Sequence, residues 1–108
     1  MVIKMNKYFY KVLRPCEFTY LSTYGIYYGN KIDRKFGYIY LCKNKKLVSE
    51  NIDNFYANQN IVILKINKNN INYIETDNKI MMLNPLTNNV ISKVLMINLN
   101  YSYNFFDE

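Results

Sequence analysis

The chain has 108 residues, a formal net charge of +6, half its residues hydrophobic and 17% aromatic, which suits one folded domain, residues 1–108, with its own core. It contains no histidine and only two cysteines, which excludes Ser-His-Asp and Cys-His catalysis and imidazole-ligated metals, and leaves no credible zinc site. No apolar run approaches the roughly 20 residues of a membrane span, and "MVIKMNKYFY" lacks a signal-peptide pattern; a cytoplasmic protein with Cys16 and Cys42 reduced is expected.

The elements follow in chain order. "YFYKVL", residues 8–13, is aromatic and β-branched and stops near Pro15, as a first strand would. Phe9, Lys11 and Leu13 share one parity of it and Tyr8, Tyr10 and Val12 the other, so the Lys11 face is expected to open to water or to a ligand. "PCEFTYLSTYG" is a short helix near 15–24, with Pro15 in its first turn and Gly25 as its cap. "IYYGNKID" is a loop or short edge strand. "FGYIYLC", residues 36–42, reads as a strand with Phe36, Tyr38, Tyr40 and Cys42 on one face and Gly37, Ile39 and Leu41 on the other.

"NKKLVSENIDNFYANQ" predicts a helix near 44–57, capped by Asn44, with Leu47, Val48, Ile52, Phe55 and Tyr56 as its apolar stripe. "NIVILKI" is continuously apolar and of strand length, as in the centre of a sheet. "NNINYIET" predicts a helical turn leading into a short strand. "KIMML" and "VISKVLMINL" are further strands, separated by the turn "NPLTNN". The order predicts an α+β fold with two short helices and a bent or split sheet.

The positive charge is uneven. Residues 1–54 carry ten Lys and Arg against four acids, and residues 55–108 carry four against four. A basic flank attracts phosphate. The 18 asparagines and the many Lys, Ile and Tyr also fit AT-rich codon usage, which gives part of the basicity a second explanation.

The segments "FYKV", "GIYYGN", "FGYIYLC", "IVILKIN", "YIE", "NPL" and "VISKV", in that order, resemble the DUF-952 family of small bacterial proteins of unknown function. The likeness runs from residue 8 to about 100 and rests on order and spacing rather than on any one motif. It implies an ADP-ribosyltransferase-like fold, in which two small sheets part to form a cleft for NAD or a related dinucleotide. Gly25, Tyr27, Gly29, Asp33, Gly37, Glu75 and Leu86 keep the family pattern. The chain departs from it where the family has histidines: Lys11, Tyr40 and Met81 stand there, with Cys42 for a serine and Leu83 for a tyrosine.

The resemblance therefore implies ligand-binding positions at Lys11, Tyr27, Tyr40, Cys42 and Glu75; the composition leads us to expect no metal, and no resident cofactor is expected. Each has a plainer alternative: Tyr40 as core, Cys42 as an inert buried thiol, Lys11 at an exposed edge, Glu75 as a solvated turn acid. Two functions follow. One is a cleft protein binding a nucleotide, NAD-like or an RNA end, with little or no ADP-ribosyl- or phosphotransferase-like turnover, since Glu75 is the sole candidate acid. The other is a non-enzymatic interaction protein that binds a protein or single-stranded nucleic acid through the Lys- and Tyr-rich segment "KIDRKFGYIYLCKNKK".

Overall fold

Apolar residues of both parities put β4 (Asn60–Asn67) at the centre of the molecule. Val62, Leu64 and Ile66 pack on one side of it, Ile61 and Ile63 on the other, all buried. A strand buried on both faces needs no alternation, which is what the run "NIVILKI" encodes. The computed structural model describes residues 7–56, 59–77 and 79–98. The expected helix end at Ala57 and strand end at Leu99 lie outside them.

The chain forms an α+β fold. β1 (Tyr8–Leu13), α1 (Pro15–Tyr24), β2 (Ile26–Tyr27), α2 (Lys31–Phe36), β3 (Ile39–Leu41) and α3 (Lys45–Phe55) come first. β4 follows, then a 3-10 turn (Lys68–Asn70), β5 (Tyr73–Glu75), β6 (Ile80–Met82), β7 (Leu86–Thr87), a second 3-10 turn (Asn88–Val90) and β8 (Ile91–Asn98). The strands make three antiparallel sheets among the described residues, ordered β1-β4-β8, β2-β7 and β3-β6-β5. Both helices and the four strands expected near residues 10, 39, 63 and 95 are present, as are the short strands at "YIE" and, within "KIMML", at "IMM".

The sheets are split where the site lies. Tyr10 and Cys42 exchange two backbone hydrogen bonds, Tyr10 N–H to Cys42 O at 2.9 Å and Cys42 N–H to Tyr10 O at 2.7 Å. This isolated bridge joins the first sheet to the third. Cys42 directly follows β3, so among the described residues this bridge is the backbone pairing that links the β1 and β3 segments.

Two expectations need correction. A third helix, α2, occupies residues expected to be loop and strand. Asn30 caps it by accepting the Asp33 N–H at 2.8 Å, Asp33 returns the bond to the Asn30 N–H at 3.1 Å, and Gly37 ends it at φ 80°. Consequently the strand expected over 36–42 is only 39–41, and Phe36 belongs to the helix and is exposed rather than sharing a face with Tyr40. A six-residue helix has too few periods to outweigh the alternation of "FGYIYLC"; its caps are the signal that distinguishes it.

Two clusters form the core. Phe9, Leu13, Leu21, Tyr27, Leu41, Ile80 and Leu86 join one face of β4. Tyr10, Val12, Cys42, Val48, Ile52 and Tyr56 join the other, which α3 covers. Val48, Ile52 and Tyr56 from the expected stripe are buried, while Phe55 is exposed.

Candidate functional site

Lys11 sits between Phe9 and Leu13 on an apolar face, opposite Leu64 in the β1–β4 register. Its neighbours on that face are core and its side chain is buried, so of the two expectations, an opening to water or to a ligand, the first is overturned. A lysine there requires a partner, because an unpaired buried ammonium is costly. Lys11 Nζ donates to Asp33 Oδ2 at 2.8 Å and to the Tyr40 carbonyl at 2.8 Å. The lysine thus bridges β1 and β3 next to their backbone bridge.

Asp33 is the hub of this arrangement and is also buried. Besides Lys11, it accepts the Asn30 N–H on Oδ2 and the Tyr40 N–H, at 3.1 Å, on Oδ1. One carboxylate therefore caps α2, orients β3 and neutralises Lys11. Gly29 makes room for it: at φ 106°, a Cβ there would stand 2.6 Å from Asp33 Cβ. The carboxylate's importance was not legible from the residue alone, although the sequence carries the Asn30–Asp33 capping signal.

Lys11, Tyr40 and Cys42 all border one cleft of about 560 Å³. Arg14 and Asn30 border it as well, with Lys31 and Ile32 of α2. Its far wall is a stripe of α3, Leu47, Glu50, Asn51, Asn54 and Phe55, spaced three or four residues apart and so presented on one helix face. Leu47 and Phe55 belong to the expected apolar stripe and border the cleft, whereas Glu50, Asn51 and Asn54 were missed because they are polar, although their spacing was readable.

The remaining expected site residues lie apart from that lining. Tyr27 is buried in the first core cluster and its hydroxyl donates to Glu17; burial, then the Glu17 bond, hold its phenol far above the ordinary range. Glu75 is exposed and faces Lys43 Nζ at 3.8 Å. Neither borders the cleft, and the carboxylates that do are Glu50 and Asp33. Lys11, Tyr40 and Met81, the positions where the resembled family has histidines, are neighbours: Lys11 bonds to Tyr40, and Tyr40 pairs with Met81 across β3 and β6.

The electrostatics of the cleft favour binding over nucleophilic attack. Burial pushes the Cys42 thiol up to about 11, against a smaller lowering by Lys11, so the thiolate is scarce at neutral pH. Burial also raises the Tyr40 phenol. Burial, with Glu17 nearby, raises that of Tyr56, whose ring lies 5.7 Å from the Arg14 guanidinium carbon. Lys11 is paired with Asp33, and Arg14 and Lys31 also border the cleft, without an ion pair among the described residues. Among the described residues, no group of three His, Cys, Asp or Glu side chains could hold a metal ion, and no helix is long and apolar enough to cross a membrane. Cys16 is exposed and Cys42 buried, both as free thiols.

No protein-family model and no curated protein matches the chain. Its fold is similar to the crystal structure of protein CC0527 from Caulobacter crescentus, with a TM-score of 0.73 and 16% identity, over 82% of this chain and 84% of that one. A double-mutant form of CC0527 superposes equally well, with a TM-score of 0.72 at 16% identity and the same coverage. At that identity the likeness is one of fold.

Proposed function

We propose that this chain is a divergent DUF-952-like protein with an ADP-ribosyltransferase-like fold, whose cleft binds a nucleotide or NAD-like ligand with little or no turnover. The observation that carries this reading is the composition of the 560 Å³ cleft. Arg14 offers a planar fork for phosphate. Tyr40 and Phe55 supply ring faces for a base, and Asn51 and Asn54 supply amides that can pair with a base edge or a ribose. Pockets of this size, with a few convergent polar groups on apolar walls, are the usual form of small-ligand sites.

The clustering of Lys11, Tyr40 and Met81 supports the family resemblance. Their identities argue against the family's own chemistry, since none supplies the imidazole that stands at those positions in the family. Lys11 and Asp33 hold the cleft floor in shape rather than contacting phosphate. Glu50 is exposed on α3 and can orient a hydroxyl.

Thermal-shift titration with NAD, ADP-ribose and AMP tests the proposal. A stabilisation that rises with ligand concentration is expected for wild type and should be weakened by Arg14→Ala. No stabilisation by any of the three at millimolar concentration would overturn it.

A further inference from the structure

A second concavity, of about 280 Å³, lies around the Gly37 turn and is bordered by Tyr28, Arg34, Tyr38, Leu83 and Asn84. The one acid bordering it, Asp33, is buried and committed to Lys11. Tyr28, Phe36 and Leu83 are exposed, at 55%, 62% and 59%, so three large apolar side chains face solvent on this short stretch of surface. Phe36 and Tyr38 are adjacent, with ring centroids 6.2 Å apart. Lys79 Nζ donates to the Tyr38 hydroxyl at 2.8 Å and also lies 5.2 Å from its ring centroid. Arg34 and Lys35 are exposed in the last turn of α2.

From this juxtaposition we infer that the face formed by Tyr28, Arg34, Phe36, Tyr38 and Lys79 is a docking site for single-stranded nucleic acid. Exposed rings interleaved with cations match what an unpaired strand presents: a flat base beside each phosphate. The charge is complementary: among the described residues the one acid bordering the hollow is Asp33, committed to Lys11, whereas Arg34 borders it, Lys35 follows on α2 and Lys79 reaches it through Tyr38. The hollow has room for one base against Tyr28 or Tyr38, which border it, with the next base stacked on Phe36 beside Tyr38 and the flanking phosphates at Arg34 and Lys79. A duplex holds its bases inside the stack and cannot offer one to a hollow of this size. The inference is independent of the ligand cleft, since neither Arg14 nor α3 takes part.

Fluorescence anisotropy with a labelled, unstructured RNA of about twelve nucleotides tests it, a length within the footprint of small single-strand-binding folds. Wild type should bind saturably and prefer the single strand to a duplex of equal length. Phe36→Ala and Arg34→Glu should each weaken binding roughly ten-fold, and Phe36→Tyr should bind as wild type does. The Arg34→Glu salt dependence should also be shallower, by about 0.7 in log–log slope for each phosphate that is no longer neutralised. Arg14→Ala should leave this binding unchanged, which separates it from the cleft. Phe36 and Arg34 are exposed, and thermal melts of the variants would register any loss of fold. The inference is overturned if wild type shows no saturable binding, if Phe36→Ala and Arg34→Glu bind as tightly as wild type, or if duplex is bound as well as single strand.

Discussion

Lys11 Nζ stands 2.8 Å from Asp33 Oδ2, both side chains almost wholly buried, and the same ammonium reaches the Tyr40 carbonyl. This pair ties β1 to β3 and to α2 at the point where the sheets part. Breaking it from one side should be costly. Lys11→Met leaves the Asp33 carboxylate buried and unpaired, and a loss of about 3–5 kcal/mol is expected in urea unfolding. The double variant Lys11→Met/Asp33→Asn removes both charges and keeps an oxygen for the Tyr40 N–H, so it should lose less than Lys11→Met alone. Additive losses would show that the two residues do not act as a pair.

Gly29 makes a separate prediction. Alanine there combines a left-handed φ with a Cβ only 2.6 Å from Asp33 Cβ. A destabilisation of about 1–3 kcal/mol is expected, measured by the same unfolding curves. Tolerance of Gly29→Ala would mean that the Asp33 hub is not held at this distance.

The thiols should differ in reactivity and in pH dependence. Cys16 is exposed and Cys42 buried, so a thiol reagent under native conditions should modify one cysteine promptly and the second only on unfolding. The Cys42 thiol is raised by burial to about 11, whereas an unfolded thiol titrates near 8.5. Above that unfolded value the unfolded chain gives up a proton that the native chain keeps, so stability falls as pH rises towards the folded value. Wild type should lose on the order of 3 kcal/mol more than Cys42→Ala across that window. Parallel pH profiles for the two proteins would contradict this.

Much of the fold is legible in the sequence because its signals are local. Pro15 and Gly25 bracket α1, Asn44 caps α3 through the Leu47 N–H at 2.9 Å, and the unbroken run of β4 marks a strand covered on both faces. Parity sets Tyr10 and Lys11 on opposite faces, as observed, yet parity alone cannot reveal that both faces are core. That depends on Asp33, 22 residues away. Alternation read through Gly37 hides the end of α2, where the αL cap is the better guide. Of the expected cleft residues, Lys11, Tyr40 and Cys42 come together; Tyr27 and Glu75 do not. Arg14 and the polar stripe of α3 are there instead, because a cleft collects residues by tertiary approach of elements and not by motif.

Isothermal titration of ADP-ribose into wild type and Arg14→Ala tests the central claim most directly. Wild type should bind one equivalent, and Arg14→Ala, folded and of near-normal stability because Arg14 is exposed, should bind more weakly by about 1.5–3 kcal/mol, the range for a charge-assisted hydrogen bond. Absence of heat with wild type at millimolar ligand, or equal affinity in the two proteins, would contradict a phosphate-anchored nucleotide in this cleft.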